Sequence, residues 1–353
     1  MRQSICIISE DLSPPIDEGI KSFAHSLIRT WSTEHRVLGI SVQSEVDADI
    51  PHVASVKTNK LLLSYRLWAK VRQFKPDVTC YVTSASATVF SFLRSRLLKL
   101  YWRRASVVLV SFQPQKYGWI SRRLLSLFSP DMVFAQNEET MRQLCFLRCP
   151  TYMLPSGVDL EKFTPASPER KVELRTKYEL DPEAYTVLHV GHITEGRNIE
   201  LLTEVHRRHG AQVIFVGSSL LDNDRTALTD RLRENGVRVF NEYFHNIEEF
   251  YQLSDCYFFP VFSDQDCIGT PLSVLEAMAC NIPVISVRYG YLPSMFEEGQ
   301  GLHFADTFDE LIQSINRVKQ LNGYRTREKV AAYSWQKIAA NLLEQVRANE
   351  VKS

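Results

Sequence analysis

Short apolar runs alternate with longer amphipathic stretches along this chain. Residues 4–8, 36–42, 78–82, 106–111, 132–135 and 151–154 are runs rich in Val, Ile, Leu and Phe, as expected of strands buried on both faces. Between them, apolar residues recur every three or four positions. Residues 22–31 set Phe23, Leu27, Ile28 and Trp31 on one face and predict a helix. The alternation resumes at 186–190, 213–216, 237–240 and 256–260, with a helical connector predicted at 167–178 and a last helix around 334–346. Repeated strand–helix units predict parallel sheets covered by helices, and 353 residues are enough for two such α/β domains. Ligands of doubly wound sheets sit at the carboxyl ends of the strands.

Composition narrows the class. Apolar content of 44% and charged content of 23% are those of an ordinary globular protein. The longest uncharged stretch, 78–93, is rich in Ser and Thr, which argues against a membrane-spanning helix. The amino terminus runs straight into a strand and the acids Glu10 and Asp11, unlike a signal peptide. Seven cysteines, an odd number scattered among strands and helices, fit reduced thiols in the cytoplasm. Cys145 and Cys149 have no zinc spacing and no histidine pair beside them.

The net charge of zero hides an asymmetry. Positions 51–135 hold 14 Lys/Arg against 2 Asp/Glu, and the remainder holds 27 against 39. Three segments interleave cations with aromatics: Arg66, Lys70 and Arg72 with Tyr65 and Trp68; Arg94, Arg96 and Lys99 with Phe90 and Tyr101; Arg122 and Arg123 with Trp119 and Phe128. Such helices can lie on an anionic leaflet, at roughly 1 kcal/mol per cation near the surface. They can equally be solvated helix faces over core aromatics, and for any one helix that reading suffices. Their recurrence leads to the expectation of an anionic membrane surface as partner, with the protein peripheral on its inner face. No nucleic-acid module accompanies these charges, so no nucleic-acid partner is expected.

The most informative stretch is GTPLSVLEAMACNIPVISV, from Gly269 to Val287. Leu272, Leu275 and Ala279 have helical spacing, Pro271 suits the first turn, and Pro283 opens a buried strand. A glycine loop that opens a helix after a strand presents free N–H groups to an anion. Glu276, one turn in, can accept hydrogen bonds from two vicinal hydroxyls such as those of a ribose. Taken alone, Glu276 is equally a first-turn acid complementing the helix dipole, and Gly269 a simple turn.

Residues 269–285 resemble the donor-site signature of GT-B glycosyltransferases of family 4, retaining enzymes that take sugar from nucleotide diphosphates. Three more phrases carry the resemblance: PPIDEGIK at 14–21, LPSGVDLEKFTP at 154–165 and GHITEGRNIELL at 191–202. The resemblance implies an α/β protein of the GT-B fold, two Rossmann-like doubly wound parallel-sheet domains facing a central cleft. An acceptor domain at 1–157 and a nucleotide-sugar domain at 158–353 are expected, the last helix returning to the first domain. It implies that Gly19 lets the backbone approach the donor phosphate or the acceptor, although Glu18 stands where the family often has a first glycine. Arg197 and His192 fill the two positions where the family carries cations on the diphosphate, the second cation preceding a glycine. Gly191, Gly269, Thr270, Pro271, Leu272, Ser273 and Glu276 complete the donor site, and Glu276 takes the ribose.

One departure matters. The family's signature has a second acid, eight residues before Glu276, that contacts the transferred sugar; Ile268 stands there instead. The loop before Gly269 is longer than usual, and Asp266 or Asp264 is the expected substitute. The activity implied is metal-independent, retaining transfer of a hexose from a nucleotide-diphosphate sugar to a glycan or lipid-linked hydroxyl. No cofactor is expected. Two alternatives remain: a non-catalytic partner subunit, and an enzyme acting on a free nucleotide sugar. The Asp-x-Asp pairs at Asp47/Asp49, Asp222/Asp224 and Asp264/Asp266 are short enough to arise by chance, and no metal site is expected from them or from His206 and His209.

Overall fold

The computed structural model describes residues 2–44, 46, 50–217, 223–321 and 323–351, without the side chains of 223–225. Asp47, Asp49 and Asp222, and the side chain of Asp224, lie outside the described residues. The chain forms two compact units. Met1–Ser156, Ile268–Thr270 and Trp335–Ser353 make the first; Gly157–Cys267 and Pro271–Ser334 make the second.

The first unit is built on β1 (Ser4–Ser9), β2 (Arg36–Ser41), β3 (Val53–Ser55), β4 (Val78–Val82), β5 (Ser106–Ser111), β6 (Met132–Ala135) and β7 (Thr151–Met153). All pair in parallel, in the order β3-β2-β1-β4-β5-β6-β7. Every residue of β4 and β6 is buried, which is why these segments read as unbroken apolar runs. The helix Gly19–Ser32 buries Phe23, Ala24, Leu27, Ile28 and Trp31. Its Trp31 Nε1 donates to Ala339 O at 3.1 Å, and the Phe23 ring meets the Trp335 edge at 5.4 Å. The carboxy-terminal helix Trp335–Glu350 therefore packs within the first unit.

The basic segments form the helices Tyr65–Phe74, Val89–Tyr101 and Trp119–Leu125. Not all of their cations face solvent. Arg94 is buried, donating to Lys60 O, Tyr81 Oη and the Glu10 carboxylate, and Lys99 pairs with Asp131 at 2.7 Å. These two hold the unit together, and the exposed basic face is smaller than the count of charges implied.

The second unit carries β8 (Thr186–Gly191), β9 (Gln212–Gly217), β10 (Val237–Phe240), β11 (Cys256–Phe259), β12 (Val284–Val287) and β13 (Leu302–Ala305), again all parallel, in the order β10-β9-β8-β11-β12-β13. In this sheet the strand order reverses direction at β8/β11, where a doubly wound sheet opens its ligand crevice. β3 and β13 have no counterpart in the sequence reading. Each is a short strand at a sheet edge, too brief to show a period. Pro271 stands outside the helix Leu272–Ala279, at its N-cap with ψ 120°, rather than in the first turn. No helix among the described residues is long and apolar enough to cross a membrane.

Candidate functional site

The site is assembled at the carboxyl end of β8. Gly191 ends the strand; His192 follows on a half-buried loop, and Glu195–Arg197 make a single 3-10 turn. Asn198 then takes a left-handed conformation at φ 54°, which asparagine tolerates better than most residues. It stands where the family phrase has its glycine, so the turn survives the substitution. Its Nδ2 donates to Pro260 O at 3.0 Å and ties the turn to the end of β11.

The turn carries Arg197 back over Gly191. A Cβ at position 191 would overlap Arg197 Nη1, so the absent side chain makes room for the guanidinium. Arg197 is only 8% exposed, and its Nε donates to Asp266 O at 3.0 Å. Its Nη1 and Nη2 have no hydrogen-bond partner among the described residues, which leaves one edge of a fixed fork for a ligand.

The Asp266 side chain turns elsewhere: a Cβ at Gly196 would overlap its carboxylate. Asp266 thus contributes its carbonyl to orienting Arg197 and lays its carboxylate on the 3-10 turn. Tyr289 Oη donates to Cys267 O at 2.7 Å and holds the same loop from the other side.

The helix Leu272–Ala279 begins after β11, and its first N–H groups have no intrahelical acceptor. Buried Tyr257 places this start: its Oη donates to Val190 O at 3.2 Å, and its phenol also meets the Ser273 hydroxyl. One aromatic side chain thus joins the end of β8 to the start of the helix. Two of the loop N–H groups expected to face an anion are already engaged. Gly269 N donates to Phe112 O at 3.0 Å and Thr270 N to Gln136 Oε1 at 3.4 Å, both inside the first unit. Pro271 has no N–H, so the amides left for an anion are those of the helix itself, from Leu272 and Ser273 onward. A side chain at Gly269 would also crowd Gln136 O and Asn137 Nδ2, both at 2.9 Å. Gly269 is needed there for close packing.

Gly19 is the first residue of its helix, and a Cβ there would come within 3.1 Å of Ile268 Cδ1. The position of the missing acid is filled by an apolar side chain packed on Gly19.

Glu276 is half-buried on the helix Leu272–Ala279 and accepts a 2.7 Å hydrogen bond from Tyr251 Oη. Burial pushes its carboxyl up to about 7, against the opposing pull of the Tyr251 hydrogen bond and the Lys162 charge. Tyr251 itself is wholly buried, edge-on to Phe163 at 5.7 Å. Because the folded state retains this proton up to about 7 and an unfolded chain loses it near 4.5, the folded state binds more protons in that window. Stability therefore falls as pH rises through it. Glu276→Gln, which removes the titration, is expected to raise the melting temperature at pH 8 and leave it unchanged at pH 5. A gain confined to pH 5 would contradict the desolvated carboxyl.

The structure thus brings Gly191, Arg197 and Asp266 together, bridges them through Tyr257 to Ser273, and sets Glu276 on Tyr251. Sequence reasoning missed Tyr251, Tyr257 and Gly196. Gly196 lies within the 191–202 motif and was within reach; the tyrosines lie outside it, on buried faces. No cluster of three metal-ligating side chains occurs among the described residues.

Residues 171–335 match the family model for glycosyl transferases group 1. The sulfoquinovosyl transferase of Arabidopsis thaliana is 24% identical over 304 residues, covering 78% of this chain and 57% of that protein. Spore coat protein SA of Bacillus subtilis is 26% identical over 231 residues, covering 57% of this chain and 60% of that protein. The chain thus spans less than two thirds of these two relatives. A GDP-mannose-dependent monoacylated phosphatidylinositol monomannoside mannosyltransferase of Corynebacterium glutamicum is 24% identical, covering 84% of this chain and 83% of that protein. Among solved structures, sucrose-phosphate synthase from Thermosynechococcus elongatus superposes with a TM-score of 0.79 at 17% identity, covering 100% of both chains. Anabaena HepE in complex with UDP and glucose gives 0.75 at 15% identity, covering 98% of this chain and 100% of that one. The two parallel-sheet units are those of the GT-B fold.

Proposed function

We propose, from the match of residues 171–335 to the model for glycosyl transferases group 1, that the chain transfers a hexose from a nucleotide-diphosphate sugar to an acceptor hydroxyl, with retention and without a metal. The observation that carries the reading is Arg197: a guanidinium held by Gly191 and Asp266 O, with its terminal nitrogens unclaimed, at the carboxyl end of β8. The bond from the anomeric carbon to the diphosphate breaks, and its electron pair leaves with the diphosphate. The acceptor oxygen bonds to the same face of the sugar and passes its proton to the departing phosphate. Charge grows on the diphosphate during this step. Arg197, His192 and the amides opening the helix Leu272–Ala279 are the groups assigned to stabilise it. Glu276 takes the ribose hydroxyls, and Asp266 keeps Arg197 aimed.

The test is calorimetry of the protein against UDP, GDP, ADP and their sugar conjugates. Tight binding of one base supports the reading and identifies the donor; no binding by a folded sample overturns it. Binding without turnover on any acceptor, together with a stable complex with a second chain, is the outcome that the apolar Ile268 would explain as a non-catalytic subunit. Reaction with no acceptor would mark an enzyme of free nucleotide sugars.

The acceptor is assigned to a glycan or lipid at an anionic membrane surface. The helix Trp119–Leu125 exposes Trp119 (75%), Ile120 and Leu124 next to exposed Arg122 and Arg123, with Leu127 exposed just beyond. It packs against the helix Val89–Tyr101, which exposes Phe90 and Arg96. No acidic residue occurs between Asp77 and Asp131. Apolar side chains flanked by cations suit an anionic interface. Replacing Trp119 and Leu124 together by Ser is expected to lower sedimentation with phosphatidylglycerol vesicles about tenfold or more, since two large side chains leave the acyl boundary. Equal sedimentation of variant and wild type would remove the membrane from the reading.

A further inference from the structure

His189 is wholly buried in β8, two residues before Gly191, so both positions face the same side of the sheet. Its ring lies nearly parallel to Phe215 (5.5 Å, 11°) and Tyr257 (6.1 Å, 18°), with Phe259 at 6.3 Å. An aromatic stack of this kind is satisfied by phenylalanine, and a buried imidazole costs desolvation that phenylalanine does not. The ring nitrogens therefore need an account. Nδ1 lies 2.8 Å from Phe258 O, and because a carbonyl only accepts, Nδ1 carries the proton. Nε2 is left as a bare acceptor, buried and without a hydrogen-bond partner.

A candidate donor lies beside it. A Cβ at Gly191 would stand 3.2 Å from His189 Nε2 and would overlap Arg197 Nη1. The lone pair and the guanidinium edge thus face one notch, the one that the missing side chain leaves. We infer that His189 is a positioning residue: a small turn of the guanidinium within this notch lets Nε2 accept from Arg197 Nη1 and fixes its plane, so that the remaining N–H groups meet the donor diphosphate. This rests on the proposed donor site. Burial and the neighbouring Arg197 charge push the imidazole down to about 3, so Nε2 keeps its lone pair at neutral pH.

Three substitutions separate the roles of the ring. His189→Phe keeps the stack alone. His189→Asn retains a donor near Phe258 O but has nothing at the Nε2 position. His189→Gln places an amide oxygen there. Each is titrated with UDP, GDP and ADP, its fold is checked by thermal melting, and the Arg197 guanidinium is followed by ¹⁵N resonance, assigned with Arg197→Lys. The Phe and Asn variants are expected to lose about tenfold in affinity for the diphosphate that the wild type binds, the scale of one hydrogen bond to a charged group, while Gln recovers most of it. In the wild type, restricted rotation is expected to give separate Nη1 and Nη2 signals that merge in the Asn variant.

Wild-type affinity in the Asn and Phe variants with unchanged Arg197 signals overturns the inference, as does a single averaged Nη signal in the wild type. The latter needs no variant to fold. Arg197→Ala, run alongside, tells the two readings apart. If it weakens binding and the His189 variants do not, the donor site stands and His189 has no positioning role. If Arg197→Ala changes nothing, the donor site falls, and the Nη signals decide the His189 contact by themselves.

Discussion

Arg197→Ala is expected to lower turnover about 100-fold or more. The side chain is aimed, through Gly191 and Asp266 O, before any ligand arrives. A donor aimed in advance at developing charge incurs no reorganisation cost during the reaction, and losing one typically raises the barrier by about 2.7–4 kcal/mol. Arg197→Lys is expected to recover little of it. An ammonium has no planar fork to lie over Gly191 and cannot hold Asp266 O and a phosphate oxygen in one plane. The measurement is nucleotide release per second with the donor that calorimetry identifies. A loss of only a few-fold would remove Arg197 from the reaction. The melting temperature is the control, because the alanine variant also frees the 263–267 loop from one of its ties.

Glu276→Ala is expected to weaken nucleotide binding by about 10- to 100-fold, the loss of a charged hydrogen bond worth roughly 1.5–3 kcal/mol. Tyr251 occupies one carboxylate oxygen at 2.7 Å, so the ribose depends on the acceptor capacity that remains. With the carboxyl pushed up to about 7, much of the free protein holds Glu276 protonated at neutral pH. Ribose hydroxyls that donate to it favour the charged form, so binding releases a proton. Affinity therefore rises with pH through about 7 and levels off above it. In the alanine variant this rise is absent. Affinity that falls as pH rises through 7 in the wild type, or alanine binding as tightly as glutamate, would take Glu276 out of the nucleotide site.

These two residues mark how far the sequence reaches. Glu276 was legible because it sits inside a long phrase whose helical spacing and flanking prolines locate it to within a residue. Arg197 was legible from its place six residues after Gly191. What each does depends on groups the phrases do not contain. Tyr251 stands 25 residues before Glu276 and meets it only because its helix, Glu248–Leu253, precedes β11 while Glu276's helix follows it. Asp266 was read as a carboxylate for the sugar, yet its carbonyl orients Arg197 and its side chain lies on Gly196. Main-chain acceptors are common to all residues, so composition never singles one out. The basic segments show the opposite error. Counting charge treated Arg94 and Lys99 like Arg122 and Arg123, although Glu10 and Asp131, distant in the chain, neutralise the first two and Tyr81 accepts a further bond from Arg94.

By itself the sequence determined the two parallel sheets, most of their strands and the helices that cover them. Burial on both faces and helical periodicity are local patterns, written in consecutive residues, and they persist whatever the neighbours are. It also determined which glycines and which charged residues deserved attention. Only the tertiary structure decided that Gly191 is a seat for a guanidinium, that the Gly269 and Thr270 amides are already taken, and that a buried histidine turns a bare nitrogen toward Arg197. Those facts depend on which main-chain and side-chain groups the ends of β5, β6, β8 and β11 bring together and on which groups burial deprives of water. Hydrogen-bond partners and desolvation are properties of the packed chain, and no window of sequence contains them.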